Sequence, residues 1–460
     1  MANNQSIEHF FTPKAAAVIG ASNNKGTIGY VIFENMKKAS IAKAYPVNPK
    51  YGKVQGVKAY HSISDVPGNI SLAVIAVPAP FVPGTLEECM KKKIPAVIIV
   101  SAGFSEVGES KNTQAIKELI KKHPGTRVMG PNCVGVLNNF NRVDTTFFER
   151  NRMKEPKKGT LSFISQSGAL GSMILDWVAT QQFGINKFVS YGNAMDVDEA
   201  DLLEYFGDDK GTKVITGYIE GAKEGRKFYS IAQKVSRKKP IIVIKGGKNE
   251  ATTKAAASHT GSLAGSSKVY DAVFHQAGVI QAEDLLDLFS IAKLLEREPL
   301  PKGRRVQIIT NGGGFGIVTA DQVIDKGLML ATPSPATIKK LMDALPMAII
   351  SNPIDLLGDA DASRYEKAIM ACLEDKNIDI IMVLALFNLP PLEAKKLAIL
   401  RKARKIATKP VVVLSIGSDY TENYLRIIEK AGFTTFNYPS VAAKALKAMS
   451  QYAQFRKLYK

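Results

Sequence analysis

Short apolar runs alternate with amphipathic segments along most of this 460-residue chain, and that alternation restricts the fold more than any other feature. The first such runs are at 15–20, 44–47, 72–77 and 96–100. Strand–helix–strand order predicts a parallel sheet, because parallel strands need crossover connections that are usually helical. We therefore predict an α/β fold that begins with a doubly wound domain over residues 1–130.

Length and composition exclude several classes of protein. A chain of this length is expected to form more than one domain. It has no uninterrupted apolar run of about 18 residues, so no membrane span is predicted. The N-terminus lacks the charged region and apolar core of a signal peptide. Cys89, Cys133 and Cys372 are too widely spaced for a disulfide framework or a metal site. We expect a cytoplasmic protein with no membrane association and no bound metal.

The chain is strongly basic, with a formal net charge of +19. Its lysines are spread along amphipathic segments, with no basic tail and no interleaving of aromatic and basic residues. We therefore expect no nucleic-acid partner. A basic protein also suits a polyanionic small ligand such as CoA, ATP or phosphate.

The turn after the first strand has the composition of a phosphate site. It is rich in glycine and small polar residues and opens a helix, whose N–H groups attract anions. Its spacing, Gly20-x5-Gly26-x2-Gly29, differs from the G-x-G-x-x-G of nicotinamide enzymes. The second strand ends in Asn48 and Lys50, without the acid that holds a ribose 2′-hydroxyl. A cation there suits a phosphorylated ribose, which indicates CoA or NADP rather than NAD.

The segment 129–135 has strong turn chemistry. From this segment alone, Asn132 and Cys133 are as consistent with a structural turn as with a ligand contact. Residues 131–157 are polar, and we predict an irregular connector.

A second domain is predicted over 158–296. Its first strand, 160–164, ends in Ser165-Gln-Ser-Gly168 and enters a helix, which makes a second anion-binding helix N-terminus. Another strand, 213–219, ends at Glu220. Residues 297–304 have linker composition. The region 305–460 then repeats this order, with a strand followed by Asn311-Gly-Gly-Gly314 and a helix.

The regions 158–296 and 304–455 can be aligned as an internal repeat. Residues 163–168 match 309–314, residues 190–205 match 351–365, and Lys239-Pro240 matches Lys409-Pro410. We interpret the two regions as copies of one flavodoxin-like fold.

The copies differ in one long insertion. Gly246 and Gly278 are 32 positions apart, whereas Gly417 and Gly432 are 15 apart. The additional residues contain His259 in a segment rich in Gly, Ala, Ser and Thr. Because the second copy completes its fold without this segment, a function explains the insertion better than folding does.

These parts suit phosphoryl transfer. A histidine that accepts a phosphoryl group becomes a dianion. Two helix N-termini, each carrying about half a positive charge, could hold that dianion without a metal. Glu220 could hydrogen-bond the ring of His259 and determine which nitrogen attacks. The chain has no G-x4-G-K-[ST] motif, so a separate partner would have to supply the ADP/ATP site.

Five motifs resemble a known family. They are Gly20-Ala-Ser, Gly130-Pro-Asn-Cys-Val-Gly135, Ser165-Gln-Ser-Gly-Ala-Leu-Gly171, Ile219-Glu-Gly221 and Ser258-His-Thr-Gly-Ser-Leu-Ala-Gly265. Together they look like the α subunits of ADP-forming acetyl-CoA synthetases (acetate–CoA ligases), which belong to the succinyl-CoA synthetase superfamily. The resemblance covers nearly the whole chain.

The resemblance implies a reaction. Acyl-CoA and phosphate would give an acyl phosphate and CoA, and the acyl phosphate would phosphorylate His259, supported by Glu220. The histidine segment would then swing to an ATP-grasp β subunit and phosphorylate ADP with Mg²⁺, in an α2β2 assembly. The overall conversion would be acyl-CoA, ADP and phosphate to acid, CoA and ATP.

The resemblance also implies two sets of binding residues. Phosphate would be held by Ser165, Gln166, Ser167, Gly168, Asn311, Gly312, Gly313 and Gly314. A Rossmann-like first domain would hold CoA through Gly20, Ala21, Ser22, Asn23, Lys25, Asn48, Lys50, Val77, Pro78, Asn132 and Cys133.

Alternatives stay open from the sequence. The chain lacks an ATP-grasp domain, which favours the separate-subunit form. A non-enzymatic CoA-binding regulator would keep these folds but would not need His259. A succinyl-CoA-type ligase subunit is a further alternative, and the glycine spacing counts against an NADP-linked oxidoreductase. The preferred acid is not determined.

Overall fold

The structure is a computed structural model that describes residues 2–40, 43–181, 183–249, 252, 267–389, 392 and 400–459. His259 therefore lies outside the described residues. The chain divides into two compact units, Met1–Ala282 and Glu283–Lys460. In the described part of the chain, no helix is long and apolar enough to cross a bilayer.

The first unit begins with a five-stranded parallel sheet. Its central strands are buried along their whole length, because helices cover both faces of the sheet. In chain order the elements are α1 (Ala2–Phe11), β1 (Ala15–Ile19), α2 (Ile28–Met36), β2 (Lys43–Val47), the hairpin β3 (Lys53–Val54) and β4 (Val57–Lys58), β5 (Leu72–Ile75), α3 (Val82–Lys91), β6 (Ala96–Ile99), α4 (Lys111–Lys122) and β7 (Arg127–Met129).

A seven-stranded sheet completes the first unit, in the order β14-β13-β12-β10-β11-β8-β9. Its elements are β8 (Gly135–Asn138), β9 (Val143–Asp144), β10 (Lys157–Ser165), α5 (Gly168–Thr180), β11 (Gly184–Ser190), α6 (Glu199–Asp208), β12 (Val214–Ile219), α7 (Gly225–Ser236), β13 (Ile241–Lys245), α8 (Ser267–Ala277) and β14 (Ile280–Ala282).

The segment 131–157 is more ordered than the predicted irregular connector. It contributes β8 and β9, and β8 pairs antiparallel with β11 at the edge of the second sheet. Val136, Leu137 and Val143 are buried there. The polar composition of the segment hides these three apolar side chains, which is why the sequence did not indicate strands.

The second unit contains one sheet, ordered β16-β15-β18-β19-β20 with β17 also paired to β15. Its elements are α9 (Leu285–Arg297), β15 (Arg305–Thr310), α10 (Gly313–Asp325), β16 (Met329–Leu330), α11 (Pro335–Ala344), β17 (Ile354–Asp355), α12 (Ala362–Glu374), β18 (Ile380–Leu384), α13 (Leu400–Ile406), β19 (Val411–Leu414), α14 (Asp419–Lys430), β20 (Thr434–Phe436) and α15 (Pro439–Lys457).

The three large sheets share one topology. In each, the first parallel strand of the chain lies between the second and the third, and the fourth and fifth follow outward. β17 and the antiparallel edge formed by β8 and β9 are additions to this plan. This order places a topological switch point beside the first strand, where α/β proteins bind ligands. The predicted fold class is confirmed: an α/β chain with a Rossmann-like first domain and two flavodoxin-like domains.

Matching lysines give the internal repeat a structural counterpart. The Lys239 ammonium donates to the carbonyl oxygens of Phe206 (2.9 Å) and Asp209 (2.6 Å), at the end of α6. The Lys409 ammonium donates to the carbonyl oxygen of Asp375 (2.7 Å), just after α12. A cation in this place satisfies carbonyls that the helix leaves unpaired. The two Lys-Pro pairs therefore perform the same task in their respective copies.

The predicted linker 297–304 contains a buried ionic contact. The Glu298 carboxylate accepts hydrogen bonds from Arg404 Nη1 (2.8 Å), Thr434 Oγ1 (2.8 Å) and the Val411 N–H (3.2 Å). Burial raises the pKa of Glu298 even though Arg404 opposes the shift. The helix α9 before it belongs to the second unit. Proline-rich composition suggested a loose connection, but Glu298 attaches this segment to the sheet edge.

We expect Arg404→Met to lower the free energy of unfolding of the second unit by about 3–5 kcal/mol, because it leaves a buried carboxylate without its cation. Urea denaturation followed by circular dichroism would measure the loss. Adding Glu298→Gln to Arg404→Met should restore part of the stability, because the neutral amide removes the unpaired charge although its NH2 group cannot replace both acceptor oxygens. Equal stability of Arg404→Met and the unmodified chain would contradict this account.

Candidate functional site

Three of the predicted CoA-binding segments meet at the carboxyl edge of the first sheet. The turn 20–25 follows β1, residues 48–50 follow β2, and residues 77–78 follow β5. Because β1 lies between β2 and β5, the three segments surround the switch point of that sheet.

Two glycines bring strand and helix into backbone contact at this edge. Gly20 has φ +94°, and a Cβ on it would lie 2.3 Å from the Ala76 carbonyl oxygen. A Cβ on Gly29, in α2, would lie 2.0 Å from the Gly20 carbonyl oxygen. Thr27, which precedes α2, turns its hydroxyl back to the Asn24 carbonyl (2.8 Å). The start of α2 is therefore held against the turn that follows β1.

Asparagine side chains hold the turn in place. Asn48 Nδ2 donates to the Ala21 carbonyl (2.8 Å), and Asn23 Nδ2 donates to the Lys53 carbonyl (2.9 Å). Asn23 Oδ1 also accepts from the Gln55 N–H (2.8 Å). These predicted CoA-binding amides thus have a structural task, which is to join the turn after β1 to the segments after β2.

The other polar residues at this edge have two different tasks, because some stabilise the turn and others are exposed to solvent. Ser22 Oγ accepts from the Asn24 N–H (3.0 Å), which again stabilises the turn. Lys25 and Lys50 are exposed, so their ammonium groups face solvent at the switch point. The exposed cations, rather than the amides, are available to bind phosphate groups.

Asn132 and Cys133 lie between β7 of the first sheet and β8 of the second, whereas Val77 and Pro78 follow β5 of the first sheet. The Val77 carbonyl accepts from Ser101 Oγ (2.5 Å), and Pro78 is exposed. Asn132 adopts φ +57° and its amide donates to Asn193 Oδ1 (3.3 Å). Cys133 is buried, and burial raises its pKa to about 12, so it is a structural thiol in this environment. Asn193 was not predicted from the sequence.

The turn after β10 forms a capped helix start. Ser165 Oγ donates to the Ser167 carbonyl (2.6 Å), and Ser167 Oγ accepts from the Leu170 N–H (3.3 Å) as the N-cap of α5. A Cβ on Gly168 would lie 2.8 Å from Val134 Cγ2, so a larger residue here would require Val134 to shift. The predicted phosphate-binding turn is therefore a helix N-terminus with a serine cap.

Gln166 joins this turn to the predicted catalytic carboxylate. Its Oε1 accepts from the N–H groups of Glu220 (2.8 Å) and Gly221 (3.3 Å), which follow β12. Glu220 and Gln166 are both buried. The structure thus brings Glu220 and 165–168 together, at the carboxyl ends of two adjacent strands.

Residues that the sequence did not single out surround Glu220. Burial and the neighbouring Glu220 carboxylate raise the pKa of Tyr218. The buried Lys245 ammonium donates to the Gly246 carbonyl and lies 4.6 Å from the centre of the Tyr270 ring. Burial lowers the pKa of Lys245. Lys245 ends β13 and Tyr270 lies in α8, so the two border the segment that contains His259.

The turn after β15 repeats the turn after β10, but in a register one residue away from the sequence alignment. Thr310 Oγ1 donates to the Gly312 carbonyl (3.0 Å), as Ser165 does to Ser167. Asn311 Oδ1 accepts from the Leu386 N–H (2.9 Å), as Gln166 does from the end of β12. The predicted pairing of 163–168 with 309–314 is therefore wrong by one position. A run of three glycines offers no side chain to fix the register.

A carboxylate lies at the start of α10. A Cβ on Gly313 would be 2.8 Å from Asp355 Oδ2, whereas Gly168 in the first copy faces an apolar valine. Gly313 and Gly314 are exposed. The two helix starts share a backbone but differ in charge, so they are not electrostatically equivalent.

Within the ranges the structure describes, no group of three or more His, Cys, Asp or Glu side chains could hold a metal ion. The three cysteines are buried and unbridged.

We expect Gln166→Leu to lower the free energy of unfolding of the first unit by about 1–3 kcal/mol, because it leaves buried N–H groups without an acceptor. Thermal unfolding would measure the change. Gln114→Leu, on the exposed face of α4, removes a glutamine of the same size without burying an unpaired group. Comparable losses of unfolding free energy in the two variants would show that the Gln166 bridge stabilises the unit no more than an exposed glutamine does.

Three family models match successive parts of the chain. A CoA binding domain matches residues 14–139, a succinyl-CoA ligase like flavodoxin domain matches 158–295, and a ligase-CoA domain matches 306–457.

Relatives of known name match nearly the whole chain. The α subunit of acetate–CoA ligase [ADP-forming] II from Pyrococcus furiosus is 41% identical, over 97% of this chain and 98% of its own length. The α subunit of acetate–CoA ligase [ADP-forming] I from the same organism is 40% identical, over 99% of both chains. The solved structure of the dinucleotide forming acetyl-coenzyme A synthetase 1 of Ca. Korarchaeum cryptofilum, in complex with phosphate and ADP, is 35% identical. It has a TM-score of 0.91 and covers 98% of this chain and 97% of its own. The chain belongs to the family of ADP-forming acetate–CoA ligase α subunits.

Proposed function

We propose that this chain is the α subunit of an acid–CoA ligase that converts acyl-CoA, ADP and phosphate into acid, CoA and ATP. The observation that carries the proposal is the Gln166 bridge, which places the phosphate-type turn beside Glu220 at the base of the His259 segment. A chain that only sensed CoA would not need a phosphate-type turn and a buried carboxylate side by side in its second sheet.

The first sheet fits CoA. The close contact of Gly20 with Gly29 leaves backbone and helix start accessible at the switch point, where a phosphate can approach N–H groups. Lys25 and Lys50 would neutralise the phosphates, and Asn132 would lie near the thioester. CoA supplies the thioester sulfur that leaves when the acyl group is transferred.

The second sheet fits phosphate and phosphohistidine. An oxygen of phosphate would form a bond to the acyl carbon as the carbon–sulfur bond breaks, giving acyl phosphate and the CoA thiolate. A ring nitrogen of His259 would then take the phosphoryl group and release the carboxylate of the acid. The helix start at 165–168 would hold the phosphate and the phosphohistidine dianion, while Glu220 would orient the imidazole. Asn311 to Gly314 would provide the second helix start.

A partner subunit would complete the reaction. The two Pyrococcus relatives are named as α subunits, and this chain has no P-loop motif for ADP. We propose an ATP-grasp β subunit that binds ADP with Mg²⁺, in an α2β2 assembly. The small residues around His259 would let the segment move between two sites, because they lose little side-chain entropy on ordering.

We expect labelled phosphate, acetyl-CoA and Mg²⁺ to give acid-labile, base-stable label on the wild-type chain in the presence of an ATP-grasp partner, and no label on His259→Ala. Autoradiography after acid and base treatment would identify phosphohistidine, and later addition of ADP should move the label into ATP. A panel of acyl-CoAs, including succinyl-CoA, would identify the acid.

Absence of label with every acyl-CoA, together with retained CoA binding, would instead support a non-enzymatic CoA-binding regulator. Label that persists in His259→Ala would place the phosphoryl group on another residue and contradict the assignment.

We expect Lys50→Met to weaken CoA binding by about two- to fivefold, as for an exposed charge pair. Isothermal titration calorimetry would measure the dissociation constant of CoA. Dephospho-CoA, which lacks the ribose phosphate, should bind Lys50→Met and wild type equally. Lys91→Met removes the same charge from α3 and serves as the control. An equal loss for both ligands would exclude Lys50 as the contact of the ribose phosphate.

A further inference from the structure

A hydrogen-bonded series of three side chains joins two strand ends of the first sheet. The Glu106 carboxylate accepts from Asn193 Nδ2 at 2.6 Å, and Asn132 Nδ2 donates to Asn193 Oδ1 at 3.3 Å. Glu106 lies in the connection after β6 and Asn132 follows β7, whereas Asn193 follows β11 of the second sheet. The loop after β11 therefore provides the middle member of the series.

The main chain holds the two asparagines against each other. The Asn193 N–H donates to the Pro131 carbonyl at 2.9 Å. A Cβ on Gly192, which has φ +59°, would lie 2.4 Å from the carbonyl oxygens of Pro131 and Asn132. The two side chains therefore start from backbone positions that are fixed relative to each other, and what remains to be determined is the direction of each amide.

The Glu106 carboxylate determines those directions. Its Oε1 also accepts from the N–H groups of Gly103 (2.5 Å) and Phe104 (3.1 Å). Burial opposes ionisation, but these bonds and the bond from Asn193 hold the pKa of Glu106 below its usual value. An ionised carboxylate can only accept, so Asn193 turns its NH2 group to Glu106 and its Oδ1 to Asn132. Asn132 must then turn its own NH2 group to Asn193.

Asn132 Oδ1 is the free end of this series. Asn132 is partly exposed. Within the described ranges, its Oδ1 accepts no hydrogen bond and is not one of the buried atoms that lack a partner, so a ligand can reach it. Two acceptors cannot bond to each other, so this direction suits neither an ionised phosphate oxygen nor the carbonyl oxygen of a thioester. The end of β7 presents an acceptor that needs a donor.

The strand order gives the distance of this acceptor from the turn after β1. Strands β5 and β6 lie between β1 and β7. With strands about 4.8 Å apart, the ends of β1 and β7 are separated by about 14 Å. A ligand with phosphates at the turn after β1 therefore needs a long arm to reach Asn132. CoA has such an arm, and the hydrogen-bond donor of acetyl-CoA that lies nearest the thioester is the N–H of the last amide.

We propose that Glu106 and Asn193 are positioning residues for CoA: they turn the Asn132 amide so that its Oδ1 accepts a hydrogen bond from the N–H of the CoA arm nearest the sulfur. This inference rests on the proposed function, because it adds detail to the CoA site. It concerns binding of the arm and leaves phosphoryl transfer unchanged.

Glu106→Gln reverses the series without changing its size. The new side-chain carbonyl can keep the two backbone N–H bonds, which places an NH2 group where Oε2 met Asn193. The Ser105 hydroxyl, which accepts from Asn193 Nδ2 at 3.1 Å, can donate instead. We expect both asparagine amides to rotate, so that Asn132 presents its NH2 group to the ligand.

The probe is S-ethyl-CoA, a thioether that has no thiol proton and cannot transfer an acyl group. Its analogue carries an ester oxygen in place of the N–H nearest the sulfur. Isothermal titration calorimetry with the full chain would give the Kd of each. We expect the wild type to bind the ester analogue about three- to tenfold more weakly, the value of one hydrogen bond. Glu106→Gln should lose this preference.

Two controls accompany the measurement. Glu118→Gln removes the same charge from the exposed face of α4 and should keep the wild-type preference, which separates net charge from the direction of the amides. An analogue with an ester at the other amide of the arm should change affinity by the same factor in the wild type and in Glu106→Gln.

A second variant tests the direction of the series itself. Asn132→Asp tolerates the φ of +57° at this position, but it places a carboxylate against Asn193 Oδ1 and should weaken binding of S-ethyl-CoA. Adding Glu106→Gln turns the Asn193 NH2 group to position 132 and leaves one carboxylate oxygen free to accept. The double variant should therefore recover both affinity and preference. Thermal melts would establish that each variant is folded.

The outcomes separate this inference from the proposed function. If the wild type binds S-ethyl-CoA and its ester analogue equally, or if Glu106→Gln keeps the wild-type preference, the positioning role is overturned and CoA binding stands. A double variant that binds no better than Asn132→Asp would also overturn the direction assigned to the amides. If the folded wild type binds no S-ethyl-CoA, the proposed CoA site is overturned as well.

Discussion

A side-chain amide joins two strand ends in each flavodoxin-like sheet, and the candidate site depends on that bond. Gln166 spans from the turn after β10 to the N–H groups after β12, and Asn311 spans from the turn after β15 to Leu386 after β18. Backbone N–H groups at these buried strand ends need an acceptor. Because the amide provides it, the helix start and the adjacent strand end keep a fixed relation, which orients whatever side chain follows the strand.

The two copies place different chemistry on this common arrangement. In the first, the residue after the strand is Glu220 and the next connection is extended by the segment of His259. In the second, β19 ends at Leu414 and α14 begins at Asp419, and a carboxylate, Asp355, already lies beside the helix start. The two copies therefore share a scaffold but differ in charge and in loop length. This asymmetry is the reason why we propose the reacting groups in the first copy.

The sequence predicted the fold class and the strand ends because apolar runs and glycine turns are local signals. It also indicated Glu220 and 165–168 as candidate site residues, and the structure brings these two segments together. It did not determine the register of the second turn, since Gly312 to Gly314 have no side chains to align. Nor did it indicate Asn193, because Asn193 and Asn132 become neighbours only through turn geometry. Tyr218 lies two residues before Glu220 at the same strand end, so strand alternation could have indicated it. Comparison of the two copies made His259 a candidate, and its segment lies outside the described residues.

The first sheet separates the groups that shape a turn from the groups that can meet a ligand. Ser22, Asn23 and Asn48 already bond to backbone atoms of the segments at this edge, so a ligand would have to displace those bonds to use them. Displacement would leave backbone groups of the turn unpaired, and that penalty would offset the free energy of a new hydrogen bond to the ligand. Lys25 and Lys50 face solvent and lose only hydration on binding phosphate. We therefore expect recognition at this edge to depend on cations and backbone N–H groups, while the amides preserve the shape that presents them.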